Sequence, residues 1–211
     1  MLRRRIFAAL IHLAALAPMA WLALEAISGR LSVNPIQDAT LRTGKAGLIL
    51  LVLSLAASPA YRLLAWRELL LARKWLGRYA FFYIAVHLAI FAWIDYGLNW
   101  ALLQEAVLEK PYALVGLLAF LLLLPLALTS TRGWQRRLGP RWKALHRLVY
   151  PASLLAVVHY LWQVKGDVRQ PLVFGALVVI LLLARLPRSK EALRRLRPRL
   201  FRLLHRAPHP G

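Results

Sequence analysis

The sequence predicts an all-α, polytopic membrane bundle of about six transmembrane helices with both termini cytoplasmic. Three observations predict it. Apolar runs long enough to cross about 30 Å of hydrocarbon recur along the chain. Lys and Arg collect between alternate runs, and tryptophans mark the run ends. With 60% hydrophobic residues in 211, the composition exceeds what a soluble domain of this length uses.

The first span is expected at about Phe7 to Ile27. Arg3-Arg4-Arg5 ahead of it resembles a signal peptide, and Arg4-Arg5-Ile6-Phe7 a twin-arginine signal. Such signals precede a soluble passenger, whereas more membrane follows here, so the segment is read as retained. The second span is expected at Ala46 to Leu64 and the third at Gly77 to Leu98. The fourth follows at Tyr112 to Ser130, the fifth at His146 to Val164 and the sixth at Val168 to Leu186. Residues 1–186 thus form one membrane domain, and 187–211 a basic cytoplasmic tail with Pro187, Pro198, Pro208 and Pro210. That tail suits attraction to lipid headgroups, or docking of a cytosolic partner.

Charge sets the orientation. Of the 29 Lys and Arg, only Arg30, Arg42, Lys45, Lys110, Lys165 and Arg169 fall on one side; the rest fall in the tails and the other loops. The positive-inside rule places the rich side in the cytoplasm. Asp38, Asp95, Glu105, Glu109 and Asp167 lean outward. Trp66, Trp75, Trp134 and Trp142 flank the inner face, and Trp21, Trp93, Trp100 and Trp162 the outer. The net charge of +21 is therefore topological and implies a lipid membrane, not nucleic acid. No Gly-rich nucleotide loop of the Rossmann or P-loop kind occurs. With no Cys and two Met, a redox metal has to rely chiefly on His or carboxylate.

Ionisable side chains deep in a bilayer are costly and mark function. His205 and His209 lie in the tail, and His12 reads as a polar residue packed between helices or snorkelling inward. His87 and His159 stand within the third and fifth spans. At 1.5 Å per residue they lie roughly 12 Å and roughly 9 Å below the outer face, counted from Asp95 and Lys165. Two imidazoles at one level on different helices can hold one heme between them. His146 lies about 20 Å deeper than His159 and would serve a second, inner heme. Thirteen residues leave the two side chains out of phase on an ideal helix, unless Pro151 rephases it. Fourteen residues before His87 stands Arg73, followed by Lys74, so the inner heme is five-coordinate, differently ligated or absent. Interhelical hydrogen bonding, or a proton or ion relay in a small transporter or channel, are the competing uses of these histidines. The transporter reading finds no inverted repeat of broken helices. Arg73, Lys74, Arg78, Arg141 and Lys143 are candidates to neutralise heme propionates or to face an anionic electron donor, beside their topological role.

Thr129-Ser130-Thr131-Arg132-Gly133-Trp134-Gln135-Arg136-Arg137-Leu138-Gly139, then Arg141 through Tyr150 with Leu145-His146-Arg147-Leu148, then His159-Tyr160-Leu161-Trp162 and Lys165, resemble the MsrQ (YedZ) family. Asn34-Pro35-Ile36, Thr43-Gly44 and Arg78-Tyr79 through His87-Leu88 are similar as well, so the likeness runs from about residue 30 to 186. This family belongs to the ferric-reductase-like transmembrane group, which includes NADPH oxidases. The resemblance implies a b-type heme subunit of the cell inner membrane, itself non-catalytic, that passes electrons from the quinone pool or a cytosolic flavin reductase. The implied acceptor is MsrP, a periplasmic molybdenum-cofactor enzyme that reduces methionine sulfoxide in oxidised proteins, a protein-repair function. It implies one or two hemes b, with His87, His146 and His159 at the family's heme positions, and an associated FMN. The wider group pairs histidines on its third and fifth helices; here Arg73 stands where the inner partner would fall. The flavin and nicotinamide domain of the oxidases has no counterpart in this sequence. By topology, the outer loops around Asn34 to Thr43 and Trp100 to Lys110 are expected to face the periplasmic partner.

Overall fold

The computed structural model describes residues 2–187 together with Ser189, Glu191 and Leu196. The rest of the basic tail, with His205 and His209, lies outside the described residues. Among the described residues the chain is helical with no strand: α1 (Leu2–Ile27), α2 (Pro35–Leu64), α3 (Glu68–Ala89), α4 (Trp100–Glu109), α5 (Pro111–Leu128), α6 (Arg132–Leu138), α7 (Pro140–Leu145), α8 (Val149–Gln163) and α9 (Arg169–Leu183). Four apolar segments, α1, α2, α5 and α3 with its continuation to Asp95, are long enough to cross a membrane. Helices α8 and α9 have 15 residues each. These six correspond to the six expected spans.

Three boundaries differ from expectation, each for a local reason. Helix α2 starts at Pro35, not Ala46, so the presumed loop Asn34 to Thr43 is its first turns. Asn34 accepts a hydrogen bond from the Gln37 N–H, and Pro35 occupies the first helical turn, where a missing N–H costs nothing. Helix α3 widens into a π-helical segment at Ile90–Asp95 and stops at Gly97 and Leu98, both at positive φ. Between α7 and α8 lies a 3-10 turn, His146–Leu148. Pro151 sits in the first turn of α8, where it is tolerated, so the change of phase belongs to the 3-10 turn and not to a proline kink.

The bundle is built on two helix hairpins, α2 with α3 and α5 with α8. The core joins Leu50 and Leu51 of α2, Ala80 and Tyr83 of α3, Leu123 and Leu126 of α5, Ala152 of α8 and Ala15 of α1. Small residues let the backbones approach: Gly47 faces Ile84 and the Ala80 carbonyl, and Gly175 of α9 faces Val157. Lipid tails give helices no hydrophobic reason to associate, so such close packing is the main cohesive term. Phe81 and Phe120 stack across α3 and α5 with centroids 5.6 Å apart.

Helix α1 docks through Tyr83, whose hydroxyl accepts from Met19 N–H and donates to the Ala15 carbonyl. Those two groups are ordinary i→i+4 partners. The phenol is inserted in the α1 ladder one residue after Pro18, which itself lacks an N–H. At the end of the bundle carrying Asn34, here the upper end, Arg42 binds Asp38 at 2.8 Å and also Glu25 of α1. At the opposite, basic end Arg3 lies 3.4 Å from Glu68. Helix α9 is fixed by Lys45 to Gln170 at 2.8 Å above and by Arg185 to the Leu55 carbonyl at 2.6 Å below. Large apolar side chains such as Leu13 and Ile180 are exposed on the flanks, as lipid contact requires. Trp21, Trp93, Trp100 and Trp162 are exposed at the upper end, whereas Trp75 and Trp142 turn inward onto His12 and His146.

Candidate functional site

His87, in the last turn of α3, and His159, near the end of α8, face each other with ring centroids 6.0 Å apart and planes crossed at 80°. The level pairing expected from depth is therefore realised. Each ring is held on its far side. His87 Nδ1 lies 2.8 Å from the Thr40 carbonyl of α2, and His159 Nδ1 2.7 Å from the Tyr112 carbonyl of α5. A carbonyl can only accept, so each Nδ1 carries the proton, and in the neutral ring Nε2 keeps its lone pair. Among the described residues no protein group bonds either Nε2.

The two halves are built alike. Carbonyl and histidine are 47 residues apart in both pairs, and a glycine stands four residues after each carbonyl, Gly44 and Gly116. A Cβ on Gly44 would lie 2.9 Å from His87 Nδ1, and one on Gly116 2.7 Å from His159 Nδ1. Both hairpins run in the same sense, so the bundle contains a direct repeat, not an inverted one. Thr40, Tyr112, Gly44 and Gly116 were not legible as site residues one at a time. The signal that reveals them is the shared offset of a glycine from each intramembrane histidine. A clasp joins the halves above the site: Lys110, next to Pro111 and Tyr112, donates to the Tyr96 hydroxyl at 2.9 Å. That bond raises the Lys110 pKa above the ordinary lysine value.

Below the stacked Phe81 and Phe120 opens a cavity of about 320 Å³ at the basic end. His146 lines it, with Arg73, Lys74, Arg78 and Arg185 around it and Trp142 and Ser130 at its mouth. Trp142 lies against the His146 ring, centroids 4.0 Å apart, and His146 Nε2 lies 3.2 Å from Thr129 Oγ1. Arg73 donates to Ser58 Oγ at 3.2 Å, and Arg78 to the Ser130 carbonyl at 3.1 Å. Arg141 and Lys143 are exposed on α7 and stay out of the cavity; Arg185 takes a place that no expectation gave it. His12 is elsewhere, 2.8 Å from Tyr79 Oη and edge-on to Trp75, packed between α1 and α3.

The profile of the family described as ferric reductase like transmembrane component matches residues 43–157, from three residues after Thr40 to two residues before His159. A protein of Rhodospirillum rubrum named protein-methionine-sulfoxide reductase heme-binding subunit MsrQ is 44% identical over 83% of this chain and 85% of its own. The chain belongs to the MsrQ family. Proteins of the same name from Xanthomonas campestris pv. campestris and Xanthomonas axonopodis pv. citri are 40% and 42% identical, over 95% and 82% of this chain and 92% and 82% of theirs. No solved structure matches. In this MsrQ-family chain the profile spans most of the α2–α3 hairpin and of α5–α8, including His87, Gly44, Tyr112 and Gly116, and ends just short of His159.

Proposed function

We propose that this chain is the heme-binding, electron-transferring membrane subunit of a methionine sulfoxide reductase system, with His87 and His159 as the axial ligands of its upper heme. The observation that carries this is the pair itself: two imidazoles with ring centroids 6.0 Å apart, each held through Nδ1 by a backbone carbonyl, with no protein group among the described residues on either Nε2. A backbone carbonyl on the far nitrogen is the usual support of a metal-ligating histidine. Among the described residues no cluster of three or more His, Cys, Asp or Glu exists, so a bare ion would lack donors. Two neighbouring imidazoles fit a metal that brings most of its own ligands. A heme there would be held by His87 and His159 and would supply a one-electron carrier; two histidine ligands suit electron transfer over oxygen chemistry.

The lower cavity is read as the place of a second heme that His146 would hold once its Nε2 leaves Thr129 Oγ1, with Arg73 among the lining cations. Its four cations, with no acid among the lining residues, suit an anionic group such as propionates. The hemes are taken as b-type, because the chain has no Cys for covalent attachment. The membrane is the bacterial cytoplasmic membrane, with the basic end and both termini, including the tail 187–211, in the cytoplasm. Electrons would enter from the quinone pool or a cytosolic flavin reductase, FMN included, and leave at the upper end to a periplasmic molybdoenzyme of the MsrP kind. The α4 segment and the start of α2 are the surfaces there. A proton relay is disfavoured, because it would require each Nδ1–H to break its bond to a fixed helical carbonyl.

Visible spectra of the purified full chain, before and after dithionite, test the proposal. A reduced b-type spectrum is expected, and none in protein from heme-replete cells would overturn it. His87→Ala and His159→Ala should each remove the upper heme's share; full heme in both variants would refute the pairing.

A further inference from the structure

Each histidine ring lies against a helix at a glycine, and the geometry explains why. The carbonyl of residue i in a helix points at the N–H of residue i+4. A side chain that donates to that carbonyl must come in past residue i+4. For Thr40 that residue is Gly44, and for Tyr112 it is Gly116. A Cβ on Gly44 would meet His87 Nδ1 at 2.9 Å and Cε1 at 3.1 Å; one on Gly116 would meet His159 Nδ1 at 2.7 Å and Cε1 at 2.8 Å. These distances are too short to hold. The ring would have to turn, and turning breaks the Nδ1–H bond that sets its plane.

The two planes so fixed cross at 80°. We propose that Gly44 and Gly116 are positioning residues, which with the Thr40 and Tyr112 carbonyls lock the imidazoles of His87 and His159 at near right angles and thereby set the electronic state of the iron between them. This rests on the heme assignment above. Crossed axial planes bring the iron's two upper occupied d orbitals close to degeneracy. Parallel planes split them. A ferric low-spin centre reports the difference directly in its electron paramagnetic resonance spectrum. Crossed ligands give a strongly anisotropic signal with one dominant low-field feature, and parallel ligands a rhombic signal with three resolved features. Because the repeat places the same carbonyl–glycine cradle on both hairpins, both halves share in setting the angle.

The experiment records that spectrum for the oxidised full-length protein, following the component lost in His87→Ala. The wild type should show the anisotropic signal. Gly44→Ala and Gly116→Ala should each move it toward the rhombic type, with a shifted midpoint potential, while keeping a reduced b-type visible band. Gly47→Ala is the control: its Cβ meets Ile84 at 2.8 Å, an equal crowding of the same helix pair away from either ring. It should leave the signal where it is. Loss of heme from Gly44→Ala but not from Gly47→Ala would also support a ring-specific role. The proposal is overturned by a rhombic wild-type signal, by an unchanged signal in both cradle variants, or by equal heme loss in Gly44→Ala and Gly47→Ala. Absence of any b-type spectrum in the wild type would instead overturn the heme assignment.

Discussion

Among the intramembrane histidines, neighbours decide role. His87 and His159 spend one nitrogen on a carbonyl, and the other has no protein partner among the described residues. His12 spends its Nδ1 on Tyr79 and packs edge-on to Trp75, which makes it a strut between α1 and α3. His12→Phe, similar in shape and without ring nitrogens, should therefore keep the full reduced heme spectrum; a loss as large as in His87→Ala would make His12 a ligand. His146 is intermediate, lining the lower cavity while touching Thr129 and Trp142. Its position was readable from the sequence, but its phase was not. On an ideal helix His146 and His159 would be about 140° apart. Three residues at the 3-10 pitch reduce that to about 80°. Sequence alone offers no sign of which helical pitch those residues adopt.

At the scale of elements, α1 is attached more loosely than its length implies. Most of its apolar side chains face outward, and Ala15 and Leu22 are its buried ones. Its polar links include the Tyr83 hydroxyl bridging Met19 and Ala15, beside those of His12, Glu25 and Arg3. Interhelical hydrogen bonds in membranes average about 0.6 kcal/mol and reach about 1.7. Without the phenol oxygen, the Met19 N–H and Ala15 carbonyl can close on each other as ordinary helical partners. Tyr83→Phe should thus destabilise the fold by roughly 0.5 to 1.5 kcal/mol, read by denaturant titration in detergent. A loss above about 3 kcal/mol would mean that this one bond holds α1 in place. The misplaced start of α2 has a cause in its own sequence. Asn34-Pro35 is a start signal, yet hydropathy places the span at Ala46, because the first turns of α2 are polar and held by ion pairs and hydrogen bonds: Arg42 engages Asp38 and Glu25, and Thr43 donates to the Ala39 carbonyl.

At the scale of the whole molecule, charge asymmetry and the repeat together imply a vertical axis. The cationic cavity lies at the basic end and the paired histidines at the other. If the basic end is cytoplasmic, alkaline phosphatase fused after Gly211 should be inactive and a green fluorescent protein there bright, while alkaline phosphatase inserted near Glu105 should be active. The reverse pattern would invert the proposed direction of electron flow.

The sequence by itself determined the helical membrane class, the six apolar segments and the level of His87 and His159. These follow from run length, charge and a constant rise per residue, all local quantities. Only the tertiary structure decided which backbone carbonyls hold the rings, why Gly44 and Gly116 stand where they do, and that Arg185 joins the lower cavity while Arg141 and Lys143 do not. Those depend on the rotation of each helix about its axis and on contacts between distant segments. A nearly all-apolar helix carries no hydrophobic stripe to reveal that rotation.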